Sequence, residues 1–292
     1  MMRLLARPGA IFALFVLGTI GTAALCAPLI ADWFGLDVTD TDLLLRYGPP
    51  SAEHWLGTDE VGRDVLLRLL YGARVSIAVG LVAACLAAAI GTSIGLVAGW
   101  FGGKLDAFLM RFTDGVIALP LLPLLIVLAA VDLKKIGLPQ SIVNGESISL
   151  YRIIVITALV GWTTVARLVR GQALALRARD FVRSAIAMGA KPLRIMVVHI
   201  LPNALSPIVV ATTLAVGNVI LFESVLSFLG IGIQPPLPSW GNMLSNAQET
   251  IWQSPMLAVY PGLLILITVA ACNMLGDELQ AAFDPRRRLR TA

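Results

Sequence analysis

Charged side chains are scarce in this chain of 292 residues: they make up 14% of it, whereas 58% of the residues are hydrophobic and the mean hydropathy is +0.85. Soluble domains carry about 25% charged residues. The composition therefore excludes an ordinary soluble protein and predicts an integral membrane protein. Uncharged runs of about 20 residues recur, whereas a membrane β-barrel would alternate over segments of about ten. We therefore expect an all-α, polytopic bundle of membrane helices.

Residue types that carry catalysis or bind metals are also few. The chain has two histidines and three cysteines, and Cys26, Cys85 and Cys272 each stand alone in an apolar run. Isolated cysteines suggest neither a zinc site nor a disulfide framework, and His54 and His199 are too few to build a catalytic cluster. The phosphate-binding pattern Gly-x-x-x-x-Gly-Lys-Ser/Thr is missing as well. We therefore expect no enzyme, no metal site and no cofactor, and an energy source in a partner or an ion gradient.

Six apolar runs predict six membrane helices. The predicted spans are Ile11–Ala31, Val75–Trp100, about Ala107–Val131, about Tyr151–Ala166, Ala204 to about Leu229, and Met256–Gly276. Pro120 and Pro123 predict a kink in the third span. Arg152 and Arg167 leave the fourth span short, and it reaches membrane thickness only if both arginines extend their charged ends toward water.

Positive charge is distributed unevenly about these spans. With the N-terminus inside, 15 of the 22 Lys and Arg residues fall on the cytoplasmic side, including those of the tail Arg286–Arg290. This bias sets the orientation of multi-pass proteins, so we predict cytoplasmic N- and C-termini. We divide the chain into a first helix with an external loop and surface helix (1–74), a transmembrane domain (75–276) and a basic cytoplasmic tail (277–292).

The external loop between Ala31 and Arg74 has an acidic excess, with eight Asp or Glu against four Arg. Thr58 and Asp59 are typical of a helix cap, and they precede an apolar stripe at helical spacing. The stripe is Val61, Val65, Leu69 and Ala73. It predicts a short helix lying on the membrane surface, on which Asp64 and Arg68 would pair at i and i+4.

Small residues mark one face of the second predicted span. Gly91, Gly95 and Gly99 recur every four residues, the spacing at which two helix backbones approach closely in membranes. We therefore predict a helix contact at these glycines.

Two acidic residues lie within apolar surroundings. Glu223 is either a group of a translocation pathway or a residue near the outer end of its helix, hydrogen-bonded to a neighbour. We favour the second interpretation, because a proton-coupled carrier usually has more than one such group. Asp114, three residues after Arg111, is interpreted as a helix-end ion pair.

One long basic segment, from Arg177 to Asn203, interrupts the apolar sequence. Five of its residues are Lys or Arg, which forbids it from spanning a bilayer. Apolar residues nevertheless recur at helical spacing, and Gly189 with Pro192 predicts two short helices with a bend between them. This elbow is interpreted as a docking element, although basic residues beside a span also serve topology or acidic lipids.

A resemblance rests on the spacing within the elbow. Arg183-Ser184-Ala185 is followed after three residues by Gly189, and nine residues later by His199-Ile200-Leu201-Pro202. The pattern resembles the EAA loop of permease subunits of type I ABC importers, which has Glu-Ala-Ala at the first position and Ile-x-Leu-Pro at the last. Here Arg183 and Ser184 replace the Glu and the first Ala. The resemblance therefore implies docking by shape more than by that carboxylate.

Other stretches resemble the dipeptide, oligopeptide and nickel branch of these permeases. They are Leu56–Val65, Leu70–Arg74, Ala166–Gln172, Leu226–Gly230, Pro238–Met243 and Asp284–Arg286. The resemblance covers nearly the whole chain and implies the type I ABC importer permease fold in a bacterial inner membrane. It also implies partners: a second homologous permease, two ATPase subunits and an extracytoplasmic solute-binding protein.

The function that the resemblance implies is one half of the translocation path of an ATP-driven importer of oligopeptides or dipeptides. Nickel or another small solute is the alternative within the same machinery, and a carrier driven by an ion gradient is the alternative outside it. The elbow would be the ATPase-coupling loop. Its candidate residues are Arg179, Asp180, Arg183, Ser184, Ala185, Gly189, Ala190, Lys191, Leu201 and Pro202. Glu223, Gly91, Gly95 and Gly99 are the candidates for the pathway or for helix contacts.

Overall fold

The computed structural model describes residues 7–132, 134–135, 139–143, 145, 147–245 and 247–283. The described part of the chain is built from helices. They are α1 (Pro8–Leu25), α2 (Ala27–Phe34), α3 (Val65–Phe101), α4 (Gly103–Ala118), α5 (Leu121–Ala129), α6 (Gln140–Val143), α7 (Ile148–Arg177), α8 (Asp180–Ala187), α9 (Pro192–Phe228), α10 (Ala247–Thr250) and α11 (Met256–Phe283). The motif at 284–286 and the tail at 286–290 lie outside the described residues.

The predicted all-α membrane bundle is confirmed. In the described ranges five helices, α1, α3, α7, α9 and α11, are long and apolar enough to cross a membrane. Helices α4 and α5 meet at a bend of 87° and make a sixth span if they are taken together. Leu119 is extended and Pro120 is the N-cap of α5, because the residue before a proline is disfavoured in the helical region. The predicted kink is thus a full break.

The predicted surface helix is wrong. Residues 61–64 are not helical, and helix α3 begins at Val65 and continues without interruption to Phe101, so the predicted boundary at 74/75 falls inside it. Its cap is Asp64, whose Oδ1 accepts the backbone N–H of Leu67 at 2.8 Å. The side chain of Asp59 instead holds the preceding turn, since its Oδ1 accepts the N–H groups of Val61 and Arg63.

The predicted ion pair between Asp64 and Arg68 is also wrong. The guanidinium of Arg68 pairs with Asp59, which binds Arg63 Nε at 2.8 Å as well. Asp64 Oδ2 lies 2.9 Å from His54 Nδ1. Both carboxylates are buried, so the loop is fastened to the N-terminal end of α3 by charged pairs that water barely reaches.

Three predicted span boundaries are shifted. The first span is divided at Cys26, because Pro28 has no N–H to donate to the carbonyl of Ala24. The fourth span, α7, is a helix of 30 residues and extends well beyond the predicted 151–166. The fifth span begins at Pro192 rather than Ala204, so the second part of the elbow is the first turns of α9 and not a separate short helix.

Helix α3 lies at the centre and packs most extensively against α7. An ideal Cβ on Gly91 would lie 2.5 Å from the carbonyl oxygen of Trp162, and one on Gly95 would lie 2.5 Å from that of Ala166. On Gly99 it would lie 2.6 Å from the Cβ of Ala173. The two backbones are thus in direct contact along this glycine seam, the contact of Gly91, Gly95 and Gly99 with α7. Helix α9 packs against another face of α3 and against α11.

Enlarging Gly95 should separate α3 from α7. We expect Gly95→Ala to lower the thermal unfolding midpoint of the purified protein, at a cost of about 1–3 kcal/mol for overpacking, and Gly95→Leu to prevent assembly. The matched controls are Gly171→Ala and Gly171→Leu on α7, where no atom lies within 4 Å of an added Cβ. Equal unfolding midpoints for Gly95→Leu and Gly171→Leu would contradict the seam.

The ion pairs of Asp59 with Arg63 and Arg68, which we call the Asp59 clamp, should depend on pH. Burial opposes ionisation, but Arg68, Arg63 and the two backbone N–H groups outweigh it and lower the pKa of Asp59 from its usual value. A carboxyl with a lowered folded pKa stabilises the fold fully above its ordinary pKa of about 3.9, and that contribution is lost as the pH falls through the folded value. Protease cleavage of the loop at 35–64 should therefore rise as the pH falls below about 4.

Asp59→Asn should give rapid cleavage at neutral pH too and flatten this pH dependence. Asp40→Asn, at an exposed carboxyl of the same loop, is the control and should leave the profile unchanged. An unaltered cleavage profile for Asp59→Asn would rule out the clamp.

Candidate functional site

The elbow consists of α8, a tight turn and the first turns of α9. Helix α8 ends in a Schellman motif, in which the N–H of Ala190 donates to the carbonyl of Ala185 and that of Gly189 to Ile186, at 3.0 and 2.9 Å. Gly189 has a φ of +80°, which is why glycine suits this position. Lys191 is extended and Pro192 opens α9, where the missing proline N–H costs nothing. The turn thus explains both residues: Gly189 supplies the positive φ and Pro192 begins the next helix.

One face of the elbow anchors it to the bundle. Val182 and Ala185 are buried and share a hydrophobic cluster with Leu96 of α3, Val169 of α7 and Ile200 of α9. Because helices from three sides meet in this cluster, α8 is packed against α3, α7 and α9 at once.

The elbow also has an exposed apolar face, which flanks the buried face of α8. Phe181, Ile186, Met188 and Leu193 all point outward, and Met188 is 80% accessible. No atom lies within 4 Å of a Cβ added to Gly189. An exposed apolar patch of this kind on a structured element is typical of a binding surface for another protein.

Positive charge surrounds this apolar face. Arg179, Arg183 and Lys191 are exposed, and none of them forms an ion pair within the described ranges. Asp180 lies in the first turn of α8, where a carboxylate suits the helix dipole, and Ser184 is exposed beside it. Ala190 is partly buried.

Leu201 and Pro202 do not end a helix, in contrast to the predicted limit of the elbow. Residues Ile195–Ile200 form a π-helical turn, and the N–H of Leu201 donates to the carbonyl of Met196, five residues back. A proline ring clashes with the carbonyl four residues earlier, and the wider turn before Pro202 makes room for it. The side chain of Asn203 donates to the carbonyl of His199 at 2.7 Å.

Two arginines of α7 bind carboxylates of α4. Arg170 Nε and Nη2 donate to the two oxygens of Asp106 at 2.5 and 2.6 Å, and Arg167 pairs with Asp114. The predicted partner of Asp114, Arg111, is therefore wrong. Helix α7 leads directly into α8, so these pairs tie α4 to the helix that carries the elbow.

An apolar cavity of about 490 Å³ opens beside the bend between α4 and α5. Leu119 and Leu125 contribute from the bend, Val160 from α7, and Val219 and Phe222 from α9. Its polar lining is neutral, being Thr157, Thr163, Thr164 and Asn218, and no described charged residue contributes. The helices tied to the elbow therefore also form the wall of this cavity.

Glu223 is fully buried and does not line the cavity. Its two oxygens accept hydrogen bonds from the hydroxyls of Ser76 and Ser227, at 3.1 and 2.7 Å. Ser76 in turn accepts the N–H of Trp240, and Ser227 accepts that of Ile233. Glu223 thus joins α3, α9 and the loop after α9. It lies roughly 33 Å along α9 from Leu201, far from the elbow.

Several of these groups escaped prediction from the sequence. The Ser76 and Ser227 partners of Glu223 are distant or ordinary in the sequence and give no signal. The sequence also offers Arg167 and Arg170 near the end of the fourth apolar run, and two arginines in a membrane helix call for carboxylate partners, but their spacing does not reveal that these partners are Asp114 and Asp106. In the described part of the chain no group of three or more His, Cys, Asp or Glu could hold a metal ion.

Comparison with known proteins agrees with this architecture. Residues 91–289 match the family model described as "Binding-protein-dependent transport system inner membrane component". The chain is 38% identical over 279 residues to the dipeptide transport system permease protein DppC of Alkalihalophilus pseudofirmus, covering 96% of this chain and 86% of that one. It is 37% identical over 288 residues to the oligopeptide transport system permease protein OppC of Bacillus subtilis, covering 99% and 89%.

A third relative and one solved structure extend the comparison. The glutathione transport system permease protein GsiD of Pectobacterium atrosepticum is 39% identical over 242 residues, covering 83% of this chain and 75% of that one. A chain of the inward-facing MetNI methionine ABC transporter superposes with a TM-score of 0.58 at 20% identity, covering 74% of this chain and 97% of that one. This likeness concerns the fold alone.

The bidentate pair between Arg170 and Asp106 should stabilise the docking of α4 on α7. We expect Asp106→Asn and Arg170→Gln each to lower the unfolding midpoint, and the exchange Asp106→Arg with Arg170→Asp to recover part of the loss. A double-mutant cycle should give a coupling of about 1 kcal/mol. The matched control is the pair of Arg167 and Asp114, which is half exposed and should couple less. A coupling near zero for the first pair would contradict its role.

Proposed function

The chain belongs to the family of binding-protein-dependent transport system inner membrane components, and we propose that it is a peptide permease whose elbow receives the motion of an ATPase. It is a multi-pass membrane permease subunit of an ABC importer. The observation that carries the proposal is the elbow, a rigid turn with an exposed apolar face and a buried anchor on three membrane helices.

The proposed partners follow from what the chain provides and what it lacks. It has no phosphate-binding motif, so ATP hydrolysis falls to separate subunits, two of which would receive the elbows of two permeases. The cavity is walled by this chain on one side, and a second permease would close the other. Exposed apolar residues of α4, such as Phe108 and Phe112, suit that contact. A binding protein would deliver the solute from outside.

In the proposed mechanism the elbow lies in a cleft of the ATPase. Closure of the ATPase pair on nucleotide displaces α8, and the buried cluster around Val182 passes the displacement to α7 and α9. Helix α4 follows because Arg170 and Arg167 hold it. The bend at Leu119, which lines the cavity, then opens to one side of the membrane or the other. The subunit itself catalyses no reaction.

Peptides are the proposed solute. Two of the relatives are named for dipeptides and oligopeptides, and the neutral, largely apolar cavity suits a solute whose side chains vary. Nickel is less favoured, because the described lining offers none of the imidazole, thiolate or carboxylate ligands that bind transition metals. A gradient-driven carrier is less favoured because Glu223, the intramembrane acid, is enclosed by serines.

The proposed orientation places the elbow and both termini in the cytoplasm and the loop at 35–64 outside. The uneven distribution of Lys and Arg supports this orientation, because cytoplasmic segments of multi-pass proteins carry more positive charge. The same orientation places the basic elbow in the compartment that contains ATP. The division at 74 and 276 is part of the proposal and marks functional segments of the chain, since α3 runs through the first boundary and α11 through the second.

Replacing Gly189 tests the coupling role. Gly189→Trp should leave membrane insertion intact and abolish ATP-dependent uptake by the reconstituted importer, because a bulky group and backbone strain would alter the docking face. The matched control is Gly35→Trp at the end of α2, which also has a positive φ (+64°) and open space but lies far along the chain from the elbow. Gly189→Asn, which tolerates this backbone conformation, should keep most of the activity. Normal uptake by an inserted Gly189→Trp protein would disprove coupling through the elbow.

A further inference from the structure

A second cavity, also of about 490 Å³, lies beyond the outer end of the apolar one. Its wall combines the residues that follow α5, the first turns of α7 and the loop that follows α9. Ala130, Val131, Ser149, Arg152, Gln234 and Pro235 are among its lining residues. We call it the Arg152 pocket. Unlike the apolar cavity, it contains a guanidinium.

The guanidinium of Arg152 is incompletely bound. Its Nη2 donates to the carbonyl of Ile231 at 3.3 Å, but its Nε is buried without a hydrogen-bond partner. In the described part of the chain only one other buried side-chain atom, the Thr268 hydroxyl, shares this state, and it carries no charge. No described carboxylate pairs with Arg152. Asp132 lines the pocket too, but its Oδ1 accepts the N–H of Lys134 at 3.0 Å.

The pocket wall around Arg152 is otherwise well bonded. Ser149 Oγ accepts the N–H of Gln234 at 3.2 Å, and Ser227 Oγ, held by Glu223, accepts that of Ile233 at 3.0 Å. The side chain of Gln234 donates to the carbonyl of Gly230 at 2.9 Å. A partly buried cation with free donors is costly unless an anion binds it, so the unsatisfied state of Arg152 in this ordered wall points to a ligand from outside the chain.

The pocket lies in line with the apolar cavity. Ser149 of the pocket and Val160 of the cavity are about three helical turns apart on one face of α7. Leu125 of α5 lines the cavity and Val131, just beyond the end of α5, lines the pocket. A solute entering from the outer side would therefore pass the guanidinium before it reaches the neutral wall.

We propose that the Arg152 pocket is an entry subsite that binds the carboxylate of the incoming solute. This rests on the proposed peptide function and names the group that is recognised, the C-terminal carboxylate of the peptide. Arginine can form two parallel hydrogen bonds to a carboxylate, and Arg152 lines the pocket without an ion pair to any described carboxylate. The loop at Ile231–Gln234 positions the guanidinium through the carbonyl of Ile231.

The test compares two probes in the complete importer, reconstituted in vesicles with its ATPases and binding protein. The probes are trialanine and trialanine amide, which differ at the C-terminal carboxylate. Uptake of each is measured for the unmodified permease, Arg152→Gln and Arg152→Lys. All variants share one binding protein, so its own preference cancels when the acid-to-amide uptake ratios are compared. Arg46→Gln, which removes an exposed charge in the external loop, is the matched control.

We expect Arg152→Gln to lower the acid-to-amide ratio about tenfold, as loss of a charge-assisted hydrogen bond predicts, with amide uptake nearly unchanged. Arg152→Lys should keep part of the preference because it keeps the charge without the planar fork. Arg46→Gln should leave the ratio unaltered.

An unchanged ratio in Arg152→Gln would overturn the proposal, whether uptake stays normal or falls equally for both probes. An equal loss that disappears in phosphatidylcholine vesicles without anionic lipid would assign Arg152 to an anionic lipid headgroup. An equal loss with weakened attachment of the binding protein would assign it to an acidic side chain there. If the unmodified importer takes up neither probe, the proposed peptide function fails and the subsite with it.

Discussion

The close approach of α3 and α7 is the constraint on which the rest of the structure depends. Between membrane helices there is little hydrophobic gain from association, so packing must supply it. Gly91, Gly95 and Gly99 let the two backbones touch, and any side chain there would force them apart. Helix α3 holds the loop at 35–64 at its N-terminal end, and α7 carries α8 at its C-terminal end. The seam therefore joins that loop and the elbow into one rigid unit.

Polar groups within the bundle also hold the helices together. Glu223 is enclosed by serine hydroxyls, and Asp106 and Asp114 are matched by arginines of α7. Each such group joins helices that apolar packing alone would leave free to slide. Because these contacts are directional, they fix the register between the helices that they join. The apolar wall beside the bend of α4 and α5 is free of such contacts, which suits a surface that must accept varied solutes.

Much of the fold could be predicted from the sequence, because long apolar runs and prolines act locally. The six spans, the break at Pro120 and the turn at Gly189 all have such local causes. The predictions that are wrong concern the partners of charged side chains, because tertiary packing selects those partners and spacing along the sequence does not. A cap at Thr58 and Asp59 was plausible, but Asp59 is used by Arg68, and Asp64 takes over the cap. Asp114 had a neighbour at Arg111, yet tertiary packing brought Arg167 instead.

The length of helix α9 determines how far one of its ends moves when the other end tilts. Its 37 residues run without a break from the turn after Gly189 to the outer loop, a distance of roughly 56 Å. Such a rod acts as a lever arm: a tilt of about 5° about its inner end displaces its outer end by about 5 Å for that length. The loop that carries Ile231 and Gln234 is attached at that outer end. A small displacement at the elbow end of this helix would thereby be magnified at its other end, and no relay of local rearrangements would be needed between them.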